Sequence, residues 1–199
     1  MVNPQDFVQV NVQHELQVYD RSLMTMRSEH ILHLRARRPS RFFERTFSWS
    51  GTGIEKDPKV RSGKDALGHA THRLHGPLVR NGEERIYLID LGRRLKPGEE
   101  EIVEVEQWFI DAGRTFQPFL GHTARIGCEG IDLRVRLPDS LKAQVHEERR
   151  RPGVHMPYRR EPLLPMDRPG NHGYHDYKVN VSDPEPGVNM RIAWRVESV

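Results

Sequence analysis

Runs of alternating apolar and polar residues account for most of the chain, and the clearest of them lie near its two ends. Val8, Val10, Val12, Leu16 and Val18 share one parity against Gln9, Asn11, Gln13, Glu15 and Gln17, and only His14 interrupts the apolar face. Such alternation marks a half-buried strand, because successive side chains point to opposite faces. A helix would not keep the even positions together. Near the other end, Tyr177, Val179 and Val181 alternate with Lys178 and Asn180, and Val188, Met190, Ile192, Trp194 and Val196 alternate with Asn189, Arg191, Ala193 and Arg195. Ser182-Asp183-Pro184-Glu185-Pro186-Gly187 lies between them and builds a turn. The pattern predicts a C-terminal pair of strands that buries Trp194.

Between these ends the same reading places strands at 30–37 and 42–49; in the second, Phe43, Phe47 and Trp49 form the apolar set and Arg45 breaks it, snorkelling or sitting at an edge. Residues 50–68 read as a loop. Residues 69–80 and 85–91 flank Asn81-Gly82, the signature of a two-residue hairpin turn, and Pro77 puts the first of these strands at a sheet edge. Leu95-Lys96-Pro97-Gly98-Glu99 has proline and glycine where a type II turn wants them, and Val103, Val105 and Phe109 continue as a strand. A further strand is expected at 123–128. Ile131, Leu133, Val135 and Leu137 alternate with Asp132, Arg134 and Arg136 until Pro138, giving one wet and one dry face.

The segment 139–173 differs in kind. It holds five prolines (Pro152, Pro157, Pro162, Pro165, Pro169), the run Arg149-Arg150-Arg151 and few periodic apolar residues. It reads as a long surface excursion with a short helix at 140–148, and excursions of that length are functional or disordered. In all, about eight or nine strands with turn signals between them predict an all-β fold, an antiparallel immunoglobulin-like β-sandwich with long polar loops, a jelly roll being the second choice. One domain over 1–199 is expected.

Composition changes this picture little. Hydrophobic residues make up 36% and charged residues 30% of the 199, which suits a thin, two-faced core rather than a thick one. Thirty-one Lys and Arg against 28 Asp and Glu leave a net charge of +3, too small to imply nucleic-acid binding by itself. One cysteine, Cys128, excludes an intramolecular disulfide. Neither a secretory leader nor an apolar run of about 18 residues is visible, so a cytoplasmic, non-membrane protein is expected.

No catalytic constellation and no cofactor motif stands out, and no metal site is assigned. His69, His72 and His75 are three apart, but on a strand His72 faces away from the other two. His172, His175 and Asp176 stand where the excursion rejoins the last strands, a place where loops carry sites. Cys128 reads as a small buried hydrophobe. The arginines form two groups: Arg35, Arg37, Arg38, Arg41 and Arg45 along one edge, and Arg149, Arg150, Arg151, Arg159 and Arg160 with Tyr158 in the excursion. Both sit near glutamates, among them Glu99, Glu100 and Glu101, so an ion-paired surface is the plain reading. Asn180-Val181-Ser182 matches a glycosylation acceptor by chance.

These residues favour a non-enzymatic binding module or accessory subunit with a protein partner, its contact residues Arg149, Arg150, Arg151, Tyr158, Arg159, Arg160, His172 and His175. Nucleic-acid or anionic-ligand binding through the arginines is the alternative, and a metal-dependent enzyme using the loop histidines is the third.

Overall fold

The computed structural model describes residues 4–20, 24–154, 156–166 and 173–196. After a short 3-10 turn at Pro4–Asp6, the chain forms β1 (Phe7–Val18), β2 (Thr25–Ala36), β3 (Ser40–Ser48), β4 (Ile54–Glu55) and β5 (Lys59–Val60). Then come β6 (Arg73–Asn81), β7 (Glu84–Leu95), β8 (Glu100–Ile110), β9 (Phe119–Thr123) and β10 (Gly130–Pro138). The last four are β11 (Ala143–Arg150), β12 (Arg159–Pro162), β13 (Tyr174–Ser182) and β14 (Asn189–Val196). Three sheets result: a seven-stranded one in the order β13-β10-β1-β2-β8-β4 with β5 also on β8, a four-stranded one ordered β12-β11-β14-β9, and a three-stranded one ordered β3-β7-β6. All pairings are antiparallel except β1 with β10. The all-β, antiparallel, sheet-on-sheet expectation holds.

The apolar parities do what alternation requires. Val12, Leu16, Leu32, Leu34, Val103, Val105, Ile131, Leu133 and Val135 all face one interior. The opposite face of the large sheet is wet and held by ion pairs such as Arg134 with Glu15 at 3.4 Å and Lys178 with Asp132 at 2.5 Å. Phe7 of β1 meets Phe43 of β3 edge-on at 5.8 Å, which packs the three-stranded sheet on the large one; β9 and β14 approach β10 from the four-stranded sheet. Edge strand β6 carries Pro77, as proline in a sheet demands.

Five expectations are corrected. The helix at 140–148 is strand β11, and much of the supposed excursion is the β11–β12 pair. Its inward positions include Glu148, so no apolar alternation announced it. The segment 124–127 is a turn closed by Cys128 N–H donating to the Arg125 carbonyl, and the strand lies earlier, at β9. The two C-terminal strands do not pair with each other: β13 joins β10 and β14 lies between β11 and β9. The hairpin turn is Gly82-Glu83 rather than Asn81-Gly82, since Asn81 pairs with Glu84 and only Gly82 has positive φ. Finally, the loop 50–68 contributes two short strands, β4 and β5, to the edge of the large sheet.

One buried carboxylate fixes the loops that flank β8. Asp111, fully enclosed, accepts the backbone N–H of Thr52 at 2.9 Å and of Phe116 at 2.7 Å, and the Thr115 hydroxyl at 3.3 Å. These donors lie on two segments far apart in sequence. Asp111→Ala should therefore cost about 2–3 kcal/mol in urea unfolding with an unchanged m-value, the scale of losing charge-assisted hydrogen bonds and stranding their donors. Asp111→Asn should recover part of the loss. A change within about 0.5 kcal/mol, the range of an ordinary surface substitution, would contradict that role.

Candidate functional site

The dry face of the large sheet has a polar interruption where all three sheets meet. On β1 the even positions run Val10, Val12, His14, Leu16, Val18, and His14 stands directly opposite His30 of β2. One inward step along β2 is Ser28, which stands opposite Gln107 of β8. Four polar side chains thus occupy core positions in one patch, and His14, Ser28 and Gln107 are buried. The three-stranded sheet adds Arg45, on the same face of β3 as Phe43 and Phe47. The four-stranded sheet adds His122 of β9, also buried. Together they line part of a cavity of about 620 Å³.

The hydrogen bonds define the protonation of this cluster. Arg45 Nη2 donates to His14 Nε2 at 3.3 Å and to His30 Nδ1 at 3.4 Å. A guanidinium has no lone pair to offer, so both imidazole nitrogens must be unprotonated acceptors. The network then assigns the proton of His30 to Nε2, which donates to Ser28 Oγ at 2.8 Å. The rings of His14 and His30 meet edge-on at 4.2 Å, and those of His14 and His122 at 5.0 Å. Burial holds His14 and His30 well below the usual imidazole range, aided at His14 by His30, His122 and Arg45 and at His30 by Arg45 and His122. His122 is pulled down to about 3 by burial, Arg45 and Arg125. Arg45 itself, lowered by burial and Arg125 to about 10, stays charged at neutral pH.

The arrangement is therefore one fixed positive charge among neutral imidazoles. Among the described residues Arg45 has no carboxylate within ion-pair distance, and its enclosed Nε–H has no acceptor. Three neighbours also have an enclosed polar atom without a hydrogen-bond partner: His14 at Nδ1, His122 at Nε2, and Gln107, whose amide nitrogen donates to Glu55 Oε1 and to the Lys56 carbonyl, at Oε1. Buried polar groups are normally satisfied, and each exception is costly. Two more cations line the cavity, Arg125 and Arg191, the second lying 4.1 Å above the Phe119 ring. The carboxylates that line it, Glu83 and Glu84, are exposed at the β6–β7 turn. On the apolar side Trp49 is stacked between Phe109 at 4.4 Å and Phe116 at 5.1 Å.

The contact residues expected from sequence are not gathered here. Arg149 and Arg159 stand opposite each other on β11 and β12, each neutralised along its own strand, by Glu147 at 2.9 Å and Glu161 at 2.8 Å. Arg150 and Arg160 flank buried Glu148 at 2.7 and 3.6 Å, and Arg151 lies over the Tyr158 ring at 5.1 Å. His175 is exposed on β13, in a different sheet, opposite Leu137; His172 lies outside the described residues. In the other arginine group, Arg35 pairs with Glu100 and Arg41 with Asp90, both at 2.7 Å, and only Arg45 turns inward. Arg45 does stand on an edge strand, since β3 is an outer strand of the three-stranded sheet, but its side chain turns to the core face instead of snorkelling outward. His69 pairs with Asp65 at the surface, whereas His72 is buried against Ser62, so the 69–75 histidines do not converge. Cys128 is buried and its thiol is pushed up by that burial. Among the described residues no group of three or more His, Cys, Asp or Glu is disposed to hold a metal ion, and no helix is long and apolar enough to cross a membrane.

No protein-family model matches the sequence, and no curated protein matches it either. Among solved structures, a two-domain M1 zinc metallopeptidase mutant bound to L-arginine aligns with 95% of this chain at a TM-score of 0.50 and 12% identity, and 43% of that chain is covered. An M1 zinc metallopeptidase mutant from Deinococcus radiodurans aligns with 95% of this chain at a TM-score of 0.49 and 13% identity, with 42% of that chain covered. The likeness is one of fold, and the present chain spans less than half the length of these structures.

The neutral histidines make stability sensitive to acid. An unfolded imidazole takes up a proton near pH 6.5, while these three resist it in the fold, so the unfolded state binds more protons as pH falls below that value. Stability should decline from pH 6.5 towards 4, by as much as about 1.4 kcal/mol per pH unit for each histidine kept neutral. Glu106, held down to about 2 by Arg61, Arg27 and Trp108, contributes stability that is lost only in the lower window, between about 4.5 and 2. Thermal unfolding followed from pH 7.5 to 4 should show the upper decline, and His122→Gln should flatten it. A melting temperature constant from pH 7 to 5 would contradict the assignment.

Proposed function

We propose that this chain is a β-domain that binds an anionic ligand in the cavity where its three sheets meet. The observation that carries the proposal is Arg45, a guanidinium on the core face of β3 with two imidazoles as its acceptors, no carboxylate, and an enclosed Nε–H left over. Arg45 is half-buried, and enclosing even part of a charge without a counter-ion is unfavourable, an expense characteristic of sites rather than of scaffolding. An anion supplies what the cluster lacks, accepting from Arg45 in a partly desolvated setting where charge-assisted hydrogen bonds are strong.

This is the small-ligand form of the anion-binding alternative, with the inward arginine in place of the surface groups. The protein-partner reading stands second; what supports it is the exposed Val154, Met156, Tyr158 and Leu164 around the β11–β12 connection and β12. A metal-assisted enzyme has the likeness in fold to zinc metallopeptidases behind it. The donor set of this cavity points elsewhere, because Arg45 already occupies the lone pairs of His14 and His30 that a metal would need.

Calorimetric titration of the chain at pH 7 with acetate, inorganic phosphate and benzoate tests the proposal. At least one should bind, and Arg45→Met should weaken it by about thirtyfold or more, the loss expected on removing one partner of a buried charged contact. The same variant should melt at an unchanged or higher temperature, because the uncompensated charge is gone. Equal binding by the variant, or no heat with any of the three, would overturn the proposal.

A further inference from the structure

The cavity is far larger than an inorganic anion needs, and along β3 it is lined first by Arg45, lying over the Phe47 ring at 5.6 Å, and then by the Trp49 stack. Arg45, Phe47 and Trp49 succeed one another on the same face of β3 and its continuation, so Arg45 and Trp49 are about 13 Å apart along the backbone at ~3.3 Å per residue. The Trp49 indole is already fixed between Phe109 and Phe116, and half-buried Phe116 forms the outer layer of that stack. Between Arg45 and Trp49 on that face stands Phe47, and the neutral Thr46, Ser48 and Gln117 also line the cavity. A volume of about 620 Å³ falls within the range of cavities that enclose organic ligands, which bind through an apolar body and a few placed polar contacts.

Resting on the anion-binding reading, we infer that the ligand is an elongated aryl carboxylate, its acid group on Arg45 and its ring system against the Trp49–Phe116 stack. The carboxylate accepts charge-assisted hydrogen bonds from the Arg45 guanidinium, which lines the cavity. As it does so, His14 and His30 are released from one shared donor. The ring occupies the aromatic end by edge or offset contact, the geometries that ring quadrupoles prefer.

Binding of 2-naphthoate, acetate, inorganic phosphate and 2-naphthalenemethanol to the chain, to Arg45→Met and to Phe116→Leu separates the two levels of the argument. The expected result is that 2-naphthoate binds about thirtyfold or more tightly than acetate or phosphate, the ring's burial accounting for the gain. Phe116→Leu should weaken 2-naphthoate about three- to tenfold and leave phosphate unchanged, and Arg45→Met should weaken both anions. Phe116 is half-buried, so the variant keeps the core; quenching of Trp49 emission by 2-naphthoate, lost in Trp49→Phe, gives a second readout. Acetate or phosphate binding as tightly as 2-naphthoate, with Phe116→Leu silent, overturns the aryl ligand and leaves the anion site standing. Binding of 2-naphthalenemethanol as tightly as of 2-naphthoate, or indifference of every anion to Arg45→Met, overturns both.

Discussion

A guanidinium held against uncharged imidazoles, with no carboxylate among the described residues to neutralise it, constrains the interior of this protein. Three sheets can share one dry core only if the faces they turn inward are apolar, and here each contributes a polar side chain at the same place: His14 and His30 from the large sheet, Arg45 from the three-stranded sheet, His122 from the four-stranded one. Close packing elsewhere cannot relieve that junction, because filling it with apolar side chains would remove the very donors and acceptors that oppose one another across it. The cavity is what remains. It holds about 620 Å³, and the uncompensated Arg45 stands on its wall.

The surrounding architecture acts as the frame of this junction. Register fixes His14 against His30 and Ser28 against Gln107, since the side-chain period of two leaves no other face for them once Val12, Leu16, Leu32 and Val105 are buried. Asp111 ties the segment after β3 to the segment after β8, and so holds Trp49 and Phe116 in contact from opposite sides of the aromatic wall. Charge on the outside is handled differently. On β11 and β12 every described glutamate and arginine finds an opposite charge two positions along its own strand or across the pair, which leaves a ladder of compensated surface groups. Solvent-exposed pairs of that kind contribute little to stability and leave little field. Arg45, by contrast, has no such opposite charge within reach among the described residues.

Much of the fold was legible because half-buried strands write their burial as alternation: β1, β3, β10 and β14 can be read directly from Val8–Val18, Phe43–Trp49, Ile131–Leu137 and Val188–Trp194. The β11–β12 pair was not, since its inward positions include Glu148 and its arginines and glutamates alternate in charge rather than in hydropathy. Nor could alternation say that β13 and β14 belong to different sheets, a matter of long-range pairing that local pattern does not encode. The site left a fainter trace. His14 and Arg45 each stood out as the polar break in an apolar series, and each had a bland explanation when taken alone. Only the register that sets His14 beside His30, and the packing that brings β3 and β9 over them, turns two isolated breaks and an inconspicuous His122 into one cluster. Crowded sequence runs such as Arg149-Arg150-Arg151 drew attention for the opposite reason, because density along the chain does not report neutralisation across a ladder.

The most direct measurement is the nitrogen-15 spectrum of the arginine side chains during addition of 2-naphthoate at pH 7. One Nε–H cross-peak, identified by its absence in Arg45→Met, should shift in its proton dimension and saturate as the guanidinium gains its anion. If that peak stays in place while 2-naphthoate is raised to millimolar concentration, the buried guanidinium is not an anion site, and its cost must be explained by the fold alone.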